Sequence, residues 1–333
     1  MASGREAKEW AREHMKGLWT SPMYPFTADF QLDEAGIRNN VEYMIKSRAA
    51  GLGFGFSEPW VCSHEERRRA IEVAVDAVRG RVPAYIHTTD HSVEETIALT
   101  NFAKAAGADA VMIWPPYEWA KSQTMVAEFY EYVASKVDMP IFLYNTYHSG
   151  MAMSVETITR LARVENICAL KDAINDAVHT VQVAAACGDQ IVVSDPLEEH
   201  LLNTVLHFNQ QILLGTTPVF MMQSPYYQPI QEYYELARAG KAAEAAQKYY
   251  ALQPLRDVWT AMYAVLWDKK AAQHPLPYIK YWMDLIGMSA GPVRPPMKNL
   301  TGDQKAWVRE KLMASGWVEK LWPDRVDVIR NGF

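Results

Sequence analysis

The chain has 333 residues, 49% of them hydrophobic and 22% charged, with a formal net charge of -6; this excludes a disordered chain and suits a protein with a sizeable core. Its lysines and arginines are scattered rather than clustered, so nucleic acid is not an expected partner. The charged start, "MASGREAKEWAREHMKG", lacks the apolar core of a secretion signal, the apolar runs stop short of a membrane span, and Cys62, Cys168 and Cys187 form no C-x-x-C pair. The expectation is a cytoplasmic protein with reduced thiols and no membrane association.

Short apolar runs recur at intervals of roughly 25 to 35 residues, each followed by an amphipathic segment, the rhythm of βα units. In chain order the predicted strands are "GLWTSP" (17–22), "GLGFGF" (51–56), "VPAYIHT" (82–88) and "AVMIWPP" (110–116). They continue with "PIFLYN" (140–145), "ICALKD" (167–172), "QIVVSD" (190–195) and "QILLGTT" (211–217). Ser63 with Glu66 and Ser92 with Glu95 read as capping boxes opening helices, and Gly80 and Gly107 as helix stops. Eight such units fit a (β/α)8 TIM barrel. An open doubly wound sheet is the alternative, but no G-x-G-x-x-G follows the first strand.

Beyond residue 220 the pattern is helical, with Gly240 and Pro254 as breaks. The predicted organisation is an N-terminal helical extension (1–16), the catalytic barrel (17–235) and an appended C-terminal helical domain (236–333). "RPP" at 294–296 reads as a turn anchoring the last helices. The tyrosine pairs at 226–227, 233–234 and 249–250 read as helix packing or subunit contact, and "FMMQSP" as core.

In a (β/α)8 barrel, chemistry sits at the carboxyl ends of the strands. Lys171 stands out there, because the other basic residues of the first 220 fall mainly in helical patterns. Burial at a barrel mouth lowers a lysine's pKa, and a neutral amine is what Schiff-base chemistry needs. A structural ion pair with Asp172 or Asp195 would account for the same position. Tyr144 ends the preceding strand, where a phenol can relay protons or merely pack. His87 and His91 flank Asp90 and, with His148 or Glu58, have a spacing compatible with a metal. The H-x-H that such barrels carry on strand 1 is replaced here by "LWTSP".

"SHEERRRAIEVAVDAVRGRVP", "AAGADAVMIWPPY", "MPIFLYN", "LARVENICALKDA" and "PYIKYWMDLIGMSAGPVRPPM" together resemble the pyruvate-dependent class I aldolases typified by dihydrodipicolinate synthase and N-acetylneuraminate lyase. The resemblance runs collinearly from about residue 17 to 300. It implies a barrel with a C-terminal helical domain, a homotetramer or homodimer, and no metal or organic cofactor. It makes Lys171 the residue that forms an imine with a 2-oxo acid and Tyr144 its proton relay.

The departures matter as well. The family's G-[TS]-T-G-E, which holds the 2-oxo acid carboxylate, reads "GFSEP" here: Glu58 is kept, Ser57 can still donate, and Phe56 replaces a hydroxyl. The synthases' second tyrosine after strand 4 is Glu118, and the arginine that follows their relay tyrosine is absent, leaving His148 nearby. Trp119 resembles a tryptophan of the hydratase-aldolase branch. With Trp19, Trp60, Tyr147 and Phe56 it would give a π-rich mouth for an aromatic or hydrophobic aldehyde, or else pack the barrel top and a subunit interface.

The reading is therefore a Schiff-base lyase that makes or breaks a C–C bond beside a 2-oxo acid, pyruvate in the first instance. Lys171 and Tyr144 are its catalytic residues. Ser57, Phe56, Glu58, Trp119, Glu118, Asn145, His148 and Ser194 are its expected substrate contacts. An imine-dependent hydratase or dehydratase, or a non-catalytic relative that binds a 2-oxo acid, are the alternatives.

Overall fold

The computed structural model describes residues 2–55, 59–215, 217–264 and 274–333. Eight parallel strands form one sheet: β1 Gly17–Thr20, β2 Gly51–Phe54, β3 Ala84–His87, β4 Ala110–Ile113, β5 Ile141–Asn145, β6 Ile167–Asp172, β7 Val192–Ser194 and β8 Ile212–Leu213. The helices before and between them are α1 Ala7–His14, α2 Glu34–Lys46, α3 His64–Val78, α4 Val93–Ala106, α5 Gln123–Lys136, α6 Val155–Leu161, α7 Ala177–Cys187 and α8 Glu198–Phe208. After β8 come α9 Pro218–Met221, α10 Pro229–Arg238, α11 Ala242–Ala251, α12 Gln253–Tyr263, α13 Leu276–Leu285, α14 Gly302–Ala314, α15 Val318–Leu321 and α16 Val326–Asn331. All eight predicted strands are present, each within its predicted span, and β6 has the predicted limits. No helix among the described residues is long and apolar enough to cross a membrane.

The strands pair in the order β7-β6-β5-β4-β3-β2-β1-β8, a nearly closed TIM barrel. Side chains bridge the remaining seam. The Ser194 hydroxyl donates to Ile212 O (3.0 Å) and accepts from Leu214 N (3.1 Å). The Gln210 amide takes Asp195 N at 3.1 Å and donates to Ile212 O at 2.8 Å. Polar groups that a backbone ladder would satisfy elsewhere are satisfied here by two side chains.

The chain divides into two compact units that do not follow chain order. The first comprises residues 1–21, 50–55 and 78–216 and holds every strand. Its interior is filled by rings: Trp19 on Tyr85 (centroids 6.0 Å), Tyr85 on Phe142 (5.5 Å), and Trp10 of α1 against both Phe142 (6.2 Å) and Trp19 (6.4 Å). Two glycines of β2 make this possible, since a Cβ at Gly51 would lie 2.2 Å from the Trp19 ring and one at Gly53 2.1 Å from that of Tyr85. Trp19, expected at the mouth, is therefore an interior residue, because its register partner Gly51 leaves it the space. The expected helix start at Ser92 forms, but Ser92 N donates to Asp90 (3.0 Å) rather than completing a box with Glu95.

The second unit comprises residues 22–49, 56–77 and 217–333, so α2 and most of α3 belong with the C-terminal helices. The capping box at Ser63 and Glu66 forms. Arg294, in the predicted anchoring turn, donates to both Glu66 oxygens (2.8 and 2.5 Å), to Val61 O (2.8 Å) and to Phe30 O (2.9 Å). One partly buried guanidinium thus ties three segments together. Phe220, Met221 and Met222 are core, as expected; Tyr233 and Tyr234 are buried while Tyr226 and Tyr250 are exposed.

Candidate active site

Every residue of β6 is buried, so its alternation divides two interiors rather than inside from solvent. Lys171 points into the barrel mouth. Its Nζ donates to Gly215 O at 2.7 Å and stands 4.8 Å from the centre of the Tyr144 ring. Burial lowers the lysine from its ordinary value near 10.5 to about 7, because the ammonium has exchanged water for an apolar surround. Close to neutral pH the side chain is thus divided between amine and ammonium.

Asp172 faces the other way, towards α7. Its carboxylate accepts from Asn145 Nδ2, His179 Nδ1 and Thr180 Oγ1, each at 2.8 Å. That hydrogen bond holds the His179 imidazole above its ordinary value. The Asp195 carboxylate is engaged by His200 (2.7 Å) and by Leu197 N (2.9 Å). Both acids considered as partners for Lys171 are held by groups outside the barrel mouth.

Tyr144 is the register partner of Lys171. Its ring lies 5.0 Å from Trp114 and 6.2 Å from His87, and those two are edge-on at 4.7 Å. Three rings from the ends of β3, β4 and β5 therefore stand together, with Trp114 partly exposed. Thr89 braces this wall by accepting from Trp114 N (2.9 Å) and donating to Trp114 O (3.1 Å). Beneath the lysine, the Tyr85 hydroxyl is paired with Ser21 Oγ at 2.8 Å. A Cβ at Gly215 would lie 2.1 Å from that hydroxyl and 3.5 Å from Lys171 Nζ, so both groups converge on one glycine.

Lys171 and Tyr144 come together as expected, and other expected contacts fall elsewhere. Asn145 donates to Asp172 and accepts from Met153 N (2.7 Å), and Ser194 closes the β7–β8 seam. Glu118 is exposed beside Lys121 (3.9 Å). Trp119 is 44% exposed, with its indole N–H on Met125 O (2.9 Å). His148 and the 61% exposed Tyr147 lie in the short turn after β5. Trp60, in the second unit, is exposed and edge-on to His274 at 6.4 Å. Phe56, Ser57 and Glu58 lie outside the described residues. His91 meets the Tyr117 ring (5.2 Å), whereas His87 faces Trp114 and Tyr144, so the two histidines go to different neighbours.

Trp114 and Tyr85 were not singled out from the sequence. Alternation carried the signal: Tyr85 shares a face with His87, and Ser21 with Trp19. Which face is the inner one follows from the position of Lys171.

A parallel eight-stranded barrel with a buried lysine of lowered pKa at the carboxyl end of a strand has the architecture of a lysine Schiff-base lyase. The model of the dihydrodipicolinate synthetase family matches residues 14–315, and the chain belongs to that family, whose members are class I lyases of this kind. The 4-hydroxy-tetrahydrodipicolinate synthase of Methanopyrus kandleri is 30% identical over 316 residues, covering 91% of this chain and 97% of that protein. The synthase of the same name from Rhodospirillum centenum is 39% identical over 160 residues, 47% of this chain and 55% of that one. Among solved structures, a prophage protein of the dihydrodipicolinic acid synthase family from E. coli K12, in complex with pyruvate, superposes with a TM-score of 0.79. It is 27% identical, over 90% of this chain and 98% of that one.

Proposed function

We propose that this protein forms an imine between Lys171 and pyruvate or a close 2-oxo acid, and makes or breaks the C–C bond next to it. The observation that carries the reading is the buried Lys171 amine, aimed by Gly215 O and flanked by Tyr144. The neutral amine adds to the ketone carbon, and loss of one water leaves a protonated imine. That cation accepts the electron pair of the breaking C–C bond, releasing an aldehyde and leaving an enamine. Protonation of the enamine carbon and hydrolysis of the imine then return pyruvate and free Lys171. Tyr144, beside the lysine, is the group placed to carry protons to and from the carbinolamine and the aldehyde oxygen.

For the aldehyde we propose an aromatic or hydrophobic one. His87, Trp114 and Tyr144 offer ring faces and edges on the β3–β5 side of the lysine, which suits a flat apolar group. The names of the relatives favour a second reading, an aldehyde that itself bears a carboxylate. Against it stand Glu118 where the synthases have a tyrosine and the lack of an arginine in "NTYHSG".

Borohydride reduction in the presence of pyruvate, followed by peptide mass spectrometry, tests the core of this proposal. A reduced adduct on Lys171 is expected. No adduct with pyruvate or with a panel of 2-oxo acids would overturn it. Incubating pyruvate with aromatic and carboxylate-bearing aldehydes then separates the two substrate readings. Product analysis separates cleavage from hydration, since only cleavage frees pyruvate and an aldehyde.

The lowered lysine pKa sets the pH dependence. Below about 7 the ammonium dominates, so the rate of imine formation is expected to rise about tenfold per pH unit there and to level off above about pH 8. Trapping rates measured across pH 5 to 9 check this. A limb near pH 10 would mean that Lys171 is hydrated in the working protein.

A further inference from the structure

The Asp172–Asn145 pair lies outside the barrel mouth, yet each residue is joined by one peptide bond to a member of the reacting pair. Lys171 and Tyr144 are register partners, and so are Asp172 and Asn145 directly after them. In parallel strands, the hydrogen bond between the second pair fixes how far the first pair can slide or splay. Asp172 is 2% exposed and Asn145 1%. The carboxylate takes Asn145 Nδ2 on one oxygen, and His179 Nδ1 and Thr180 Oγ1 on the other, each at 2.8 Å. His179 and Thr180 belong to α7, whose start is capped by Asp176. The Asn145 side-chain oxygen, Oδ1, in turn accepts from Met153 N at 2.7 Å. One buried carboxylate thus connects the ends of β5 and β6 to the first turn of α7 and to the loop after β5.

We infer that Asp172 and Asn145 are positioning residues, a clamp on the outer side of the barrel that holds the Tyr144 phenol in line with the Lys171 amine. The inference rests on the proposed roles of Lys171 and Tyr144. Three donors converge on Asp172, and an amide in its place keeps one acceptor oxygen for them and turns an N–H towards another donor. The clamp then opens where the two reacting side chains leave the backbone. A displacement of order 1 Å at such a place costs about 100-fold in rate. How much imine forms with the 2-oxo acid at equilibrium depends on the lysine, whereas the rates of the proton transfers, at the carbinolamine and at the aldehyde oxygen, depend on Tyr144 in line with it.

The test compares Asp172→Asn, Thr180→Val and the swapped double variant Asn145→Asp/Asp172→Asn by borohydride trapping, steady-state kinetics and thermal unfolding. Asp172→Asn is expected to lower kcat by about 10–100-fold while the extent of trapping with pyruvate at equilibrium and its KM stay within about threefold. Thr180→Val, which removes one of the three donors, should show the same pattern at about threefold. The swap restores a donor–acceptor pair across the strands and leaves an acceptor for Met153 N, so kcat is expected to recover at least tenfold over Asp172→Asn. An unchanged kcat in folded Asp172→Asn, or a swap no better than the single variant, overturns the clamp. Should Asp172→Asn not fold, the swap and Thr180→Val decide, and normal kcat in Thr180→Val counts against it. Absence of any adduct in the unaltered protein would instead overturn the functional reading, so the two failures are distinguishable.

Discussion

Lys171→Met is expected to abolish turnover and trapping, and at the same time to raise the melting temperature. Loss of activity of about 10³-fold or more follows if the amine is the nucleophile, because methionine has no amine with which to form the imine. The gain in stability follows from burial. An unfolded lysine keeps its proton to about 10.5, whereas Lys171 in the fold gives it up at about 7. Between these values the unfolded chain binds more protons, so stability rises with pH across that window, and below it the full cost of a buried charge is present.

That cost amounts to several kcal/mol. Against it, methionine forfeits the hydrogen bond to Gly215 O, which contributes about 1 kcal/mol. The balance favours methionine, most strongly at or below pH 7, and the advantage should shrink as pH rises towards 10.5, where the charge cost is gone and the lost hydrogen bond remains. Thermal melts of the two proteins at pH 6 and pH 9 check the sign and the trend. A lower melting temperature for the variant at pH 6 would show that the lysine is not desolvated as its position implies. Lys171→Ala serves as the control for activity alone, since the cavity it leaves offsets any gain.

The barrel was legible because its signal is local. Each strand is a short apolar run bounded by turn residues, and β6 carries, one residue before its end, a lysine that no helical pattern explains. Lys171 and Tyr144 could be named for the same reason: both are the last or nearly last residues of such runs. What lay one layer deeper could not be found by looking at run ends. Tyr85 sits mid-strand in "AYIH" and reads as core until the spaces at Gly53 and Gly215 are seen to be shaped for it. Those spaces come from strands far apart in sequence, so only the cross-strand register exposes them. Asn145 and Ser194 illustrate the converse. They end strands, as pocket residues do, but their side chains bond within the barrel wall: Asn145 pairs with Asp172, on the opposite parity to Lys171, whereas Ser194 is in register with Lys171 and is taken up by the β7–β8 seam. Trp19 shows how strongly one glycine can decide a placement. A ring that reads as mouth lining lies inside because Gly51 leaves it room.

Gly215→Ala should be the most damaging change of one methyl group in the site. Its φ of +63° lies in the left-handed region, where a side chain costs about 1–2 kcal/mol. The added Cβ would also stand 2.1 Å from the Tyr85 hydroxyl. That ring cannot retreat, being 1% exposed, packed on Trp19 and Phe142, and bonded to Ser21. The backbone at 215 must therefore move, and with it the carbonyl that aims Lys171. The expected result is a loss of about 2–4 kcal/mol in stability and of about 100-fold in kcat. Tyr85→Phe alone removes the hydroxyl and strands Ser21, at about 1–3 kcal/mol. In the double variant Gly215→Ala/Tyr85→Phe the obstacle is gone and mainly the φ penalty and the stranded serine remain, so the two costs should not add. Denaturant unfolding of the four proteins measures the coupling. Strict additivity would mean that the tyrosine hydroxyl is not what keeps position 215 a glycine. A coupling of about 1 kcal/mol or more would tie the Gly215 carbonyl, and through it the direction of the lysine, to a phenol that no reading of strand ends would have found.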